Sequence, residues 1–252
     1  MAAKLKTATL PQSCSDAEWE ARVESAAAHR IAAHYRWDYL IYNHIGMRVP
    51  GEDAMLVKPH RLRFGEVRAS DLVKVPINDT KAHKDVQAVG YTIHTAVMGA
   101  RPDVNCTLHV HTTESVAMST RKDELLMLDQ AAMLFYGRVS YHDFEGQAYD
   151  LSEAERIGRD LGPTNKVMML RNHGPLTCGR HAAEAIHYMY WLLEVCKMQL
   201  MLEATGKEIV IPSKAVCEHT ARQWDRHYDT LGKDEWPAYI RMLDKMDPSY
   251  KE

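Results

Sequence analysis

The chain is poor in phenylalanine, with 3 in 252 residues, and carries no marked excess of either charge. Its 31 Lys and Arg against 34 Asp and Glu leave a net charge of −3. That faintly acidic balance offers no electrostatic footprint for nucleic acid. No apolar run approaches the roughly 20 residues of a membrane span, so no membrane partner is expected. Met1 to Ser15 lacks the charged-then-apolar order of a secretory leader. The five cysteines, Cys14, Cys106, Cys178, Cys196 and Cys217, are odd in number and form no CxxC pair. This argues against a disulfide frame and a thiolate zinc site, and for reduced thiols and a cytoplasmic location.

What is present is an ordinary globular composition, 46% hydrophobic and 26% charged, with an unusual 14 histidines. A chain of this length buries a sizeable core. Residues 1–14 read as a flexible N-terminal tail and 15–252 as one domain. Ser15 with Glu18 forms a capping box that opens a helix to about Tyr35. Residues 37–77 are strand and turn material. A helix is expected over 83–100, a strand from Val104 to Thr112, a short helix over 113–120 and a helical or irregular apolar segment over 125–135. Short strands follow at Arg138–Tyr141 and Gln147–Asp150. Ser152 with Glu155 caps a helix to Leu161, and Lys166–Arg171 is an apolar strand. A long helix runs from Arg180 to Thr205, with Gly206 at C′, and a last helix covers about 215–243. Strands and helices alternate without a domain break, which predicts a single α/β domain with a central sheet covered by helices.

Two histidine patterns carry chemistry. In Leu108-His109-Val110-His111-Thr112, side chains two apart share a strand face, so His109 and His111 point together and can chelate one divalent ion. In Leu170-Arg171-Asn172-His173-Gly174-Pro175, an apolar strand runs into a turn that can aim a third imidazole at the same point. Three histidines with an open position are the arrangement of a catalytic metal.

Taken in order, Gly90-Tyr-Thr-Ile-His94, Ala100-Arg-Pro-Asp-Val104, His109-Val-His111-Thr112 and Leu170-Arg-Asn-His-Gly174 resemble the class II aldolase/adducin family. Asn43-His-Ile-Gly-Met-Arg48-Val-Pro50 is similar to its adducin-side N-terminal motif. The resemblance spans about residues 20–205 and is nearest to the adducin-like bacterial branch. It implies a mainly antiparallel central sheet with helices on both faces, and a homotetramer with sites near subunit interfaces. It also implies one divalent metal ion on His109, His111 and His173, zinc first, with Mn2+ or Fe2+ as alternatives.

The departures from the family pattern narrow the substrate. The acid–base carboxylate of the aldolases falls on Gly90, and their phosphate-binding serines fall on Ala88 and Val89, whose side chains offer no hydrogen bond. A small carboxylate, met by Asn43 and by Arg61 with His60 and Arg63, is therefore expected in place of a sugar phosphate. The space at Gly90 is expected to admit a bulkier group. Candidate acid–base residues are Tyr141, near the family's catalytic tyrosine, His142, and His94, one helical turn after Gly90. Glu194 is a candidate partner for a metal-bound imidazole. The sequence reads best as a metal-dependent lyase that decarboxylates or cleaves a non-phosphorylated hydroxy or keto acid. The rivals are a non-catalytic adducin-like oligomeric module and a ferrous-iron oxygenase on the same three histidines.

Overall fold

The computed structural model describes residues 14–77, 85–149 and 151–252. Residues 1–13, most of the expected tail, lie outside them, as do residues 83 and 84 of the expected second helix and Asp150. Helix α1 spans Asp16–His34, and the Ser15 hydroxyl accepts from the Glu18 amide at 3.1 Å, as the cap requires. Only half of the capping box forms. The Glu18 carboxylate is buried and turns instead to Arg22 and Lys74, each at 2.8 Å.

Seven strands form one sheet in the order β3-β2-β1-β4-β7-β6-β5. They are β1 (His44–Arg48), β2 (Ala54–Val57), β3 (Val73–Pro76), β4 (Cys106–His109), β5 (Val139–His142), β6 (Val167–Leu170) and β7 (Gly174–Gly179). Every pairing is antiparallel except β5 with β6. The remaining helices are α2 (Ala88–Ala100), α3 (Thr113–Ser119), α4 (Leu151–Leu161), α5 (Ala182–Glu203), α6 (Lys214–Trp224) and α7 (Trp236–Met246). Ile45, Met47, Cys106 and Leu108 pack under α1 and α5, while Met168, Leu170, Leu176 and Cys178 pack on the other face with residues of α2 and α4. The chain is thus an α/β domain with a mainly antiparallel sheet sandwiched by helices.

Several sequence expectations need correction. β7 was not foreseen, because it begins Gly174-Pro175 and a proline argues against a central strand. Pro175 fits at the strand's second residue, where its carbonyl accepts from Val110. Gln147–Tyr149 form no strand. In the 125–135 segment only Ala132–Phe135 is helical, as a 3-10 turn. Helix α4 begins at Leu151, so Ser152 lies inside it instead of capping it. The single C-terminal helix is two, α6 and α7, separated by a turn in which Gly232 has φ +76°. A Cβ there would lie 2.1 Å from the Ala183 carbonyl oxygen, so only glycine lets the turn pass α5 this closely.

Candidate metal centre

β4 ends at His109, and the hairpin turn between β6 and β7 brings His173 beside it. Asn172 takes φ +56° and Gly174 φ +152°, which folds the turn back over the end of β4. A Cβ on Gly174 would lie 2.6 Å from the Val110 carbonyl oxygen and 3.2 Å from His111 Cδ2. The absence of a side chain is what allows the turn to approach the strand.

The structure brings His109, His111 and His173 together, their ligating atoms within 4.8 Å of one another. His109 Nε2 lies 2.7 Å from His111 Nε2 and 3.3 Å from His173 Nε2. His109 Nδ1 donates to the Pro175 carbonyl at 2.9 Å, which fixes the tautomer and leaves Nε2 as a bare lone pair. Burial, reinforced by mutual repulsion, holds the His109 imidazole well below its ordinary pKa. Burial likewise pushes His111 down to about 4 and lowers His173. Neutral rings whose lone pairs converge repel one another unless a cation lies between them. Nitrogens bound at about 2.0–2.1 Å to one tetrahedral ion stand about 3.3 Å apart, close to the His109–His173 separation. The donor set fits a divalent metal.

The other candidates divide. His142 is buried on the α4 side of β5 and shares a small cavity with His173 and Arg171. Its Nδ1 donates to Asp160 at 2.8 Å, and its buried Nε2 has no hydrogen-bond partner, with Glu153 at 3.6 Å and Glu145 at 3.9 Å. Tyr141, one residue earlier, points to the opposite face. Its hydroxyl accepts from the Leu125 amide at 2.9 Å and its ring lies under the Arg171 guanidinium at 4.2 Å, so one chain does not bring it to the histidines. Its phenol is pushed up by burial. Asn43 is buried; its side-chain oxygen accepts from the Tyr39 amide, and its Nδ2 is unpartnered. Arg61 is exposed on a turn and makes no ion pair among the described residues. Glu194 is exposed and does not bond an imidazole of the triad. It lines a cleft of about 300 Å3 that opens beside His111, with Arg36, Asp38, Tyr39 and Lys197.

His94 is fully buried and pinned between two partners, Thr107 Oγ1 at 2.6 Å and His44 Nδ1 at 2.8 Å. The expectation that Gly90 leaves open space is overturned. The His44 ring fills it, because a Cβ on Gly90 would meet His44 Cδ2 at 2.7 Å. His44 lies within the Asn43–Pro50 motif, which by itself points to no role for it. The available signal was Gly90 itself, since glycine inside a helix usually marks a close approach.

Residues 23–200 match the Class II Aldolase and Adducin N-terminal domain. The chain belongs to the class II aldolase and adducin family. A Caulobacter vibrioides protein, provisionally named an aldolase class 2 protein, is 38% identical over 98% of each chain. The crystal structure of an aldolase II superfamily protein from Pseudomonas syringae, 39% identical, superposes with a TM-score of 0.89 over 95% of this chain and 98% of that one. Alpha-adducin of Rattus norvegicus is 34% identical over 89% of this chain, which spans 33% of the adducin. Family membership supports an aldolase-type, metal-dependent lyase in general terms. Among the described residues no helix is long and apolar enough to cross a membrane.

Proposed function

We propose that this family member is a metal-dependent carbon–carbon lyase acting on a non-phosphorylated hydroxy or keto carboxylic acid, by decarboxylation or retro-aldol cleavage. The observation that carries the reading is the convergence of three neutral imidazole lone pairs at the edge of a cleft. His109, His111 and His173 would hold the ion, which when bound polarises a carbonyl and takes up negative charge as the carbon–carbon bond breaks.

Two cations, Arg36 and Lys197, line the cleft and suit a carboxylate, beside the acidic Asp38, Glu114 and Glu194. The buried Asn43 amide nitrogen has no partner and is a further donor. Lys58, whose ammonium donates to the Ile41 carbonyl at 2.8 Å, is brought down to about 8 by burial. The Ala88 and Val89 side chains offer a phosphate no hydrogen bond. His142, oriented by Asp160 and lining the cavity it shares with His173, is the proton donor in preference to Tyr141. Decarboxylation suits this set, since it generates the carbanion without a base and then needs one proton.

The likeness to alpha-adducin supports a second reading, a non-catalytic oligomeric module. Metal analysis of the purified protein, followed by a turnover screen of hydroxy and keto acids beside fuculose and ribulose phosphates, decides between them. One zinc, manganese or iron ion per chain with turnover of an acid supports the lyase. Absence of stoichiometric metal supports the module, and efficient cleavage of a sugar phosphate with no acid turned over rejects the substrate class.

A further inference from the structure

A fourth imidazole belongs to the centre without being one of the convergent ligand atoms. His44 opens β1 directly opposite His109 of β4, and the two rings stack with centroids 5.0 Å apart at 29°. Behind His44 runs a chain of side chains, His44 Nδ1 to His94 Nε2 at 2.8 Å and His94 Nδ1 to Thr107 Oγ1 at 2.6 Å. His44 Nε2 makes no hydrogen bond among the described residues.

Two glycines make this arrangement possible. A Cβ on Gly90 would lie 2.7 Å from His44 Cδ2, and one on Gly46 would lie 2.9 Å from His94 Cγ. Real side chains do not approach that closely, and glycine weakens both helix and strand. The fold accepts glycine, a weak helix and strand former, in α2 and in β1 to seat these two rings. Both rings are buried.

This chain of hydrogen bonds can run in two directions. When the Thr107 hydroxyl donates to His94 Nδ1, His94 Nε2–H donates to His44 Nδ1, and His44 is left with Nε2–H as an outward donor. The reverse direction leaves Nε2 as an acceptor. An anionic substrate selects the first. Resting on the function proposed above, we propose that His44 is a substrate-binding residue, its Nε2–H donating to a carboxylate or hydroxyl oxygen of a hydroxy acid at the three histidines. His94 and Thr107 are positioning residues that fix the ring and the direction of its proton.

The test is calorimetric titration of the full-length, zinc-loaded protein with glycolate, the smallest 2-hydroxy acid, with zinc stoichiometry and zinc affinity measured on every variant. Removing a hydrogen bond to an anion weakens binding about tenfold or more, so His44→Ala should lose at least that factor. His44→Gln, whose amide nitrogen reaches where Nε2 sits, should stay within about threefold of the parent, since it keeps the donor. Thr107→Val should weaken glycolate and Thr107→Ser should not. Gly90→Ala, which displaces the ring, should mimic His44→Ala, and adding Gly90→Ala to His44→Ala should cost nothing more. Zinc binding should be unchanged throughout. Parental glycolate affinity in His44→Ala overturns the inference, as does equal loss in His44→Gln and His44→Ala together with loss of zinc. Zinc failing to bind the parent protein overturns the metal reading instead. Glycolate failing to bind the zinc-loaded parent overturns the carboxylate reading, and the inference with it.

Discussion

At His109 one hydrogen bond decides the chemistry. Donation from Nδ1 to the Pro175 carbonyl leaves Nε2 unprotonated, and the same ring is too deeply buried to carry charge. His111 and His173 complete the set from a strand extension and a hairpin turn, so loss of either leaves two ligands. We expect His111→Ala and His173→Ala each to retain less than a tenth of the parental metal after dialysis, read by mass spectrometry; one ion per chain in both variants would refute the assignment. Proton delivery is a second residue-scale matter. His142→Gln keeps the volume beside Asp160 but cannot exchange a proton, so turnover should fall about 100-fold or more with metal content unchanged. Parental turnover in that variant would return the role to Tyr141.

At the scale of elements, the β6–β7 hairpin turn is the most constrained. Gly174→Ala combines a disallowed φ with a 2.6 Å approach to the Val110 carbonyl, which predicts a stability loss of about 1–3 kcal/mol. Metal affinity should fall with it because His173 shifts; denaturant melts and zinc titration check both. Helix α1 makes a different prediction. His29 is fully buried, with Nδ1 bonded to the Ser25 carbonyl at 2.7 Å, and burial pushes its pKa down to about 3. The unfolded chain takes up this proton near pH 6.5 while the folded chain refuses it until about pH 3. Folding stability is therefore full above pH 6.5 and is lost as pH falls below it, by about 1.4 kcal/mol per pH unit for such a group. The melting temperature of metal-free protein should drop between pH 7.5 and 5.5, and His29→Gln should drop less. Identical slopes in the two proteins would contradict the account.

For the whole molecule, the homotetramer that the family resemblance implies needs uncovered apolar surface, and the C-terminal aromatics supply little of it. Trp224 donates to the Gln130 carbonyl, Trp236 and Tyr239 pack against the α1–α5 core, and Tyr228 sits under the Arg180 guanidinium. Trp224, Trp236 and Tyr239 are largely covered within one chain, while Tyr228 stays 40% exposed. Further uncovered apolar surface lies at Met201, Val210, Ile211 and Val216 around the α5–α6 connection, and at Tyr39, Leu40 and Tyr42 near the cleft. We propose a homotetramer that covers these patches. Light scattering at micromolar concentration should give about four chain masses, and Val210→Asp with Ile211→Asp should lower it; a monomeric parent would exclude it.

The sequence by itself determined which three histidines to look for and the layout of most elements, for local reasons. His109 and His111 repeat at strand period, Ser15 caps α1, and the apolar run of β6 is bounded by turn residues. It also determined that Ala88, Val89 and Gly90 bring no side-chain hydrogen bond to an anion, whatever surrounds them. Only the tertiary structure decided what stands in the Gly90 space. His44 and Gly90 are distant in sequence and meet because β1 pairs with β4 and α2 crosses that pair. The split between Tyr141 and His142 was equally out of reach, since a strand's alternation is legible but which face meets α4 is not. β7 was hidden because Gly174 and Pro175 carry strand-breaking preferences. Hairpin geometry and pairing on both sides override those preferences, and they deliver His173 to its partners.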